Sequence, residues 1–240
     1  MLRLALSPEA AQTPLCVVAL GAHADDVEIG AGGSLLRLAE SGRVEALVVV
    51  LSSDDRRAAE AEASARAFLA GCQVTVHTHD VPDGRFPAHW NRVKDILEAC
   101  AVDWHPDLVL CPSRLDAHQD HRIVAGLVST VFRDQLALEY EIPKWDGDLG
   151  QPTLYMPLSD EIMQRKIDLL WQHFPSQRSH DWFDQEVFRS LGRLRGIECR
   201  TRYAEGFFSR KVVLTPDGFC PGRRLTRANP GFVTRRSWRP

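Results

Sequence analysis

Strand-like and helix-like segments alternate through the first 130 residues, and this alternation restricts the possible folds more than any other feature of the sequence. Apolar runs typical of buried strands occupy 16–20, 46–51, 74–78 and 108–111. Segments with helical periodicity lie between them, at about 34–40, 56–70 and 88–102. This order predicts an α/β fold, with a Rossmann-like, mostly parallel sheet and helices on both faces.

The rest of the chain is predicted to complete the same domain. Its patterns predict a loop, two helices and two stretches of strand or core, at 143–150, 160–174, 182–194, 207–208 and 212–214. We therefore predict a single domain over 1–240. Its α/β core covers about 14–135, and 136–240 supplies a substrate loop and the C-terminal completion.

Composition excludes several classes of protein. The formal net charge is −3, and no general basic surface indicates a nucleic-acid partner. No apolar run approaches the roughly 20 residues of a transmembrane segment, and the N-terminus lacks the pattern of a secretory signal, so the predicted location is cytoplasmic. The six cysteines form no C-x-x-C pair, which argues against a zinc–thiolate site. The Arg-rich tail, 223–239, is interpreted as a solvated end.

Two polar clusters follow predicted strands. The first, 23–26, contains His23, Asp25 and Asp26, and the second, 116–121, contains Asp116, His118, Asp120 and His121. Ligands bind at the carboxyl ends of the strands in such sheets. We therefore expect the two clusters to meet at one edge of the sheet, although they are far apart in the chain.

Three histidines and four carboxylates are a suitable donor set for a catalytic metal. Zinc binds imidazole and carboxylate well, and a catalytic zinc keeps three protein ligands and one open position. The simpler alternatives are that the Asp pair caps a helix and that the histidines lie together by coincidence. Gly30, Gly32 and Gly33 lack the full G-x-G-x-x-G spacing, so we interpret them as tight-turn and close-packing positions.

The two clusters also resemble the motifs of a known family, the PIG-L/LmbE-like deacetylases. Residues 22–33 resemble its first motif, Pro-His-Pro-Asp-Asp-Glu before a glycine-rich turn, and 118–121 resemble its second, His-Pro-Asp-His. Alanine or glutamine replaces the motif prolines, and Val27 replaces the acid after the Asp pair, with Glu28 one place later. Weaker similarities occur at Arg57 with Glu60 and Gly71, at 82–84, at Lys166 with 176–177, and at 203–207.

The resemblance implies a role for each cluster residue. His23, Asp26 and His121 would hold Zn²⁺, and Asp25 would be the general base for attack of a metal-bound water on an amide. His118 would act on the other side of the substrate, as an oxyanion donor and proton donor. We expect the Asp120 carboxylate to hydrogen-bond to the His118 ring, with Asp116 as a second candidate for that task. Other divalent transition metals also fit these ligand types.

The predicted function is zinc-dependent removal of the N-acetyl group from an N-acetylated amino sugar or sugar conjugate, a small-molecule substrate. The alternative is a metal-dependent amidase or sugar-conjugate hydrolase with a non-acetyl substrate. A non-catalytic binding module and a Rossmann oxidoreductase fit less well, because the general-base candidate is present and the dinucleotide fingerprint is incomplete. An oligomer is possible.

Candidate substrate contacts lie outside the two clusters. Arg57 suits sugar hydroxyls or a phosphate, although a helix-surface ion pair explains it equally well, and Asp83 is either a contact or a turn residue. In the predicted loop, Trp145 is a candidate for stacking on a sugar ring and Lys144 for meeting a phosphate. Asp146 or Asp148 would bind hydroxyl groups.

Overall fold

The structure is a computed structural model, and it describes residues 3–6 and 13–214. Within these residues the strands are β1 (Leu15–Gly21), β2 (Val44–Val50), β3 (Gln73–Thr78), β4 (Leu108–Pro112), β5 (Leu136–Tyr140), β6 (Leu154–Leu158) and β7 (Tyr203–Phe208). The helices are α1 (Asp26–Ala39), α2 (Asp55–Phe68), α3 (Trp90–Trp104), α4 (Gln119–Val131), α5 (Asp160–His173) and α6 (Gln185–Cys199), with a 3-10 turn at Phe86–His89.

All of these strands belong to one sheet, in the order β3-β2-β1-β4-β5-β7-β6. The first five strands in this order pair in parallel, while β7 is antiparallel to both β5 and β6. β1 is buried along its whole length because it lies inside the sheet, which explains its continuous apolar sequence. The predicted α/β fold with a mostly parallel sheet is therefore confirmed.

The second half of the chain extends this sheet instead of forming a separate one. The predicted helices at 160–174 and 182–194 correspond to α5 and α6, but β5 and β6 had no clear signal. The interpretation of 212–214 as strand or core is wrong, because Val213 and Leu214 are 82% and 71% exposed and pair with no strand of the described chain. The single-domain division stays a prediction, and the Arg-rich tail lies outside the described residues.

Two further predictions from the sequence concern membrane-spanning segments and the cysteines. Among residues 3–6 and 13–214, no helix combines the length and the apolar character that crossing a membrane requires. None of the five cysteines in this part of the chain forms a disulfide, and Cys16, Cys100 and Cys111 are buried.

The glycines of the first motif lie inside α1, so their interpretation as a tight turn is wrong. The helix begins at Asp26, well before the predicted start near 34. Close packing is the reason for these glycines. A Cβ at Gly30 would overlap the Tyr140 ring, one at Gly32 would lie 2.6 Å from Phe68, and one at Gly33 would lie 2.5 Å from Leu158. Their absence of side chains lets α1 lie directly against the sheet and α2.

We expect Gly30→Ala to lower the free energy of unfolding by about 3 kcal/mol, because the new methyl group must displace a fully buried tyrosine ring. Gly126 in α4 is a matched control, since a Cβ there meets no atom within 4 Å. Gly126→Ala should raise the free energy of unfolding by about 0.5–1 kcal/mol. Urea denaturation measures both values, and effects of the same sign would contradict the packing argument.

A buried ion pair fixes α1 against the second half of the chain. Glu205 on β7 accepts hydrogen bonds from the backbone N–H groups of Gly33 and Ser34, at 2.7 Å each. Lys166 on α5 donates to Glu205 and to the carbonyl of Ile29, at 2.6 Å each. These contacts lie in or directly after the first motif, so α5 and β7 help to position the helix that begins at the first polar cluster.

Candidate active site

The two polar clusters meet at the carboxyl ends of β1 and β4, as the sequence predicts. These strands are neighbours, with Val17 opposite Leu108, so the loops that follow them emerge at the same edge of the sheet. The ring centroids of His23, His118 and His121 lie 4.8–5.3 Å from one another. Residues almost 100 positions apart in the chain are therefore in direct contact.

Three possible ligand atoms converge in this cluster. His121 Nε2 lies 3.3 Å from His23 Nδ1 and 3.3 Å from Asp26 Oδ2, and the last two atoms are 3.6 Å apart. A tetrahedral zinc ion with bonds of about 2.0–2.2 Å requires ligand atoms roughly 3.3–3.6 Å apart. The three residues are at most 8% exposed. Both the spacing and the donor types therefore fit a divalent cation.

In His23 and His121, the ring nitrogen that points away from Asp26 lies close to another carboxylate. His121 Nδ1 lies 2.8 Å from Asp116 Oδ2, and His23 Nε2 lies 2.9 Å from Asp83 Oδ1. Histidine ligands of metals commonly have such a partner, which fixes the ring orientation and strengthens the other nitrogen as a donor. The arrangement directs the inner nitrogens of both rings toward Asp26.

The charge of the cluster also suits a cation. Burial lowers the pKa of His121, but Asp26 and Asp116 outweigh it and raise the pKa to about 9. Burial also lowers the pKa of His23, but the nearby carboxylates of Asp120 and Asp26 outweigh it and raise the pKa well above its usual value. The carboxylates thus attract positive charge to this position. Two overlapping groups of side chains, both of which include His118, could also hold a metal: His23, His118 and His121, and His23, Asp83, His118 and Asp120.

Asp25 has a buried carboxylate that makes no capping hydrogen bond to helix α1. It stands at the N-cap of α1 but makes no side-chain capping hydrogen bond, so the capping alternative does not explain it. The residue is 4% exposed, and Arg57 Nη2 lies 3.4 Å from Asp25 Oδ1. Burial and the neighbouring Asp26 raise its pKa, while Arg57 opposes the shift.

His118 approaches the cluster from the N-cap of α4. Its Nδ1 accepts a hydrogen bond of 3.3 Å from the backbone N–H of Asp120. Burial, together with His121 and His23, lowers the pKa of His118. With Nδ1 as an acceptor, the proton of the neutral ring lies on Nε2, which is then available as a donor.

The expected hydrogen bond between the Asp120 carboxylate and the His118 ring is not what the structure shows. The Asp120 carboxylate accepts from the backbone N–H groups of Gly84 and Phe86, at 2.7 and 3.0 Å, and lies 3.5 Å from His23 Nε2. The first turn of α4 directs this side chain toward the 82–86 turn. Asp116, the second candidate, pairs with His121 instead.

Two of the candidate substrate residues join the cluster and two lie in the adjacent loop. Arg57 and Asp83 contact Asp25 and His23 respectively, and the side chain of Asp83 is 58% exposed. Lys144 is largely buried against carboxylates, and Trp145 is 67% exposed. Sequence reasoning did not foresee the pairing of Lys144 with Asp116, because no local pattern links the two.

Val27, which stands where the family motif has an acid, is a residue of the hydrophobic core. Val27 is 1% exposed and packs in the core beneath the site. Glu28, one residue later, is also buried, and burial raises its pKa to about 8. Burial therefore favours the protonated form of the Glu28 carboxyl group.

Comparison with known proteins identifies the family. The family model PIG-L, described as GlcNAc-PI de-N-acetylase, matches residues 18–132, which include both polar clusters. The uncharacterized deacetylase YaiS of Escherichia coli (strain K12) is 31% identical over 169 residues, or 65% of this chain and 89% of that protein. The chain belongs to the PIG-L family. This PIG-L protein is accordingly a deacetylase of the hydrolase class.

Solved structures share the fold of this PIG-L protein at low sequence identity. N,N′-diacetylchitobiose deacetylase from Pyrococcus horikoshii is 20% identical with a TM-score of 0.62, covering 81% of this chain and 83% of that one. GalB from Pseudomonas putida KT2440, a 4-carboxy-2-hydroxymuconate hydratase, is 18% identical with a TM-score of 0.67, covering 85% and 99%. One fold therefore carries different reactions, so the site must decide the function.

Proposed function

We propose that this PIG-L protein removes the acetyl group from the nitrogen of an N-acetylated amino sugar or sugar conjugate. A divalent cation, Zn²⁺ or a similar transition metal, would be held by His23, Asp26 and His121. The convergence of these three ligand atoms within 3.3–3.6 Å, beside the buried carboxylate of Asp25, which does not cap α1, is the observation that carries the proposal.

The residues around the cation divide the chemistry of amide hydrolysis between them. When bound, the cation polarises the acetyl carbonyl and lowers the pKa of water to about 7. Asp25 takes the proton of the attacking water, and Arg57, 3.4 Å away, holds the Asp25 carboxylate in position. The same proton can then pass from Asp25 to the departing amine, so that acetate and a free amino group are the products.

His118 acts on the opposite side of the reacting carbon. Its Nε2–H donates a hydrogen bond to the oxyanion that develops as the carbonyl is attacked. Because Nδ1 is held by the backbone N–H of Asp120, the ring presents Nε2 without needing a positive charge. Asp120 and Asp83 then serve as positioning residues for His23 and the 82–86 turn.

Two observations support a sugar as the substrate, although an amidase or conjugate hydrolase with a non-acetyl substrate is the alternative. The family description names an N-acetylglucosamine lipid, and the Pyrococcus horikoshii enzyme is named for an acetylated disaccharide. A cytoplasmic location stays part of this proposal.

The test is release of acetate from a panel of N-acetylated sugars, nucleotide sugars and glycolipid head groups, with formyl and longer acyl amides alongside. We expect acetate from at least one N-acetylated sugar, loss of activity with a chelator, and recovery when Zn²⁺, Co²⁺ or Fe²⁺ is added. Faster release from the non-acetyl amides would favour the alternative. Acetate release that a chelator leaves unchanged would contradict the metal-dependent reaction.

A further inference from the structure

Ion pairs of Lys144 anchor the 143–150 loop to the candidate active site. Lys144 Nζ lies 2.9 Å from Asp116 Oδ2 and 2.9 Å from Asp148 Oδ2. Asp116 Oδ2 is also the atom that contacts His121 Nδ1, and Asp148 Oδ2 accepts a hydrogen bond of 2.6 Å from the backbone N–H of Ala117. The side chain of Lys144 is only 10% exposed, so it is a buried ion-pair partner of these carboxylates and not a surface charge.

The ion pairs of Lys144 and further contacts hold the next residue, Trp145, in a fixed orientation. Trp145 follows Lys144 directly and remains 67% exposed, although its indole Nε1 donates a hydrogen bond of 2.6 Å to Asp181. Its ring also packs edge-to-face against His180 and Trp182, at 5.8 and 6.0 Å between centroids. A large aromatic surface is therefore held in place while much of it is left open to solvent.

The segment on the other side of this aromatic cluster is attached to the site as well. Ser176 donates through its backbone N–H to Glu60 Oε1, at 3.1 Å, and its hydroxyl bonds to the same carboxylate. Glu60 lies one turn after Arg57 on α2, and Arg57 contacts Asp25. Both segments that build the cluster are thus anchored to elements that carry active-site residues.

The charges of this region disfavour a phosphate and favour a neutral ligand. Four carboxylates belong to it: Asp116, Asp146, Asp148 and Asp181. The nearby cations are already engaged, Lys144 with carboxylates and Arg122 with the backbone carbonyls of Asp116 and Ala117. Lys144 is therefore not placed to meet a phosphate, contrary to the expectation from sequence. Aromatic faces with carboxylate acceptors beside them suit an uncharged ring that carries hydroxyl groups.

We propose that Trp145 forms a second subsite, which binds a neutral sugar ring attached to the N-acetylated one, and that Lys144 is the positioning residue that holds this subsite. The inference rests on the proposed function for the first ring. It goes further by naming the substrate class: neutral glycosides of at least two rings, in preference to monosaccharides and phosphate-linked carriers.

The test compares acetate release from N,N′-diacetylchitobiose, N-acetylglucosamine and a nucleotide-linked N-acetylglucosamine. We expect wild-type kcat/KM to be highest for the disaccharide. Trp145→Ala should lower that value about tenfold, mainly through KM, and leave the monosaccharide value within about twofold. Lys144→Met should lower the disaccharide value at least as much, because it also removes the cation beside Asp116, and adding Trp145→Ala to Lys144→Met should lower it little further, because the second subsite is already lost. Trp90→Ala, at an exposed tryptophan on α3, is the matched control.

A binding experiment separates failure of this inference from failure of the proposed function. Calorimetric titration of both sugars into the Asp25→Asn variant measures the second subsite without turnover. If no acetate is released from any sugar but Trp145→Ala still weakens disaccharide binding selectively, the proposed deacetylation is contradicted while the second subsite is supported. Equal binding of mono- and disaccharide, preference for the nucleotide sugar, or equal losses for both sugars in Trp145→Ala would overturn the subsite.

Discussion

Asp25→Asn is expected to lower kcat by about a thousandfold while the bound metal is retained. Asparagine preserves the shape of the side chain but cannot accept the proton of the attacking water. The residue is not a metal ligand in our proposal, and its carboxylate contacts Arg57 at 3.4 Å instead of capping α1. Steady-state rates of acetate release, together with elemental analysis of the purified protein, measure both parts of this expectation.

The same substitution at an exposed carboxylate provides the control for Asp25. Asp103→Asn lies in the last turn of α3, where the side chain is exposed, and should leave both kcat and metal content unchanged. Near-normal kcat in Asp25→Asn would remove this residue from the role of general base. Loss of metal in that variant would instead make Asp25 a ligand.

His121→Ala is expected to weaken metal binding by more than about a hundredfold, because removal of a ligand should exceed the 10- to 100-fold cost of losing an outer partner. His121 is 2% exposed, and its Nε2 lies 3.3 Å from both His23 Nδ1 and Asp26 Oδ2. Competition with a chromogenic chelator measures the dissociation constant directly and does not depend on knowing the substrate.

An exposed histidine of the same sheet is the control for His121. His77→Ala on the edge strand β3 should leave the metal dissociation constant unchanged. Because a buried ring is lost in His121→Ala, circular dichroism must first show that the variant is folded. A folded variant with wild-type metal affinity would exclude His121 as a ligand and would direct attention to the group of His23, Asp83, His118 and Asp120.

The sequence alone was sufficient for the first four strands of the sheet and for the meeting of the two clusters. Alternating apolar runs and helical patterns specify parallel strands, and the carboxyl ends of neighbouring parallel strands must lie at one edge. The approach of residues 23–26 to 116–121 follows from that rule, and the motif resemblance indicated the same family that the comparisons show. These features depend on local periodicity and on chain order, which a sequence displays directly.

Only the tertiary structure decided which side chains hydrogen-bond to which partners. Glu205 holds Gly33 from 172 positions away, and Asp120 bonds to the 84–86 turn instead of to His118. The three glycines of the first motif proved to lie in a helix, and Tyr140, Phe68 and Leu158 pack where their side chains would be. Hydrogen-bond partners of this kind are chosen by the packing of segments distant in the chain, so no local pattern records the choice.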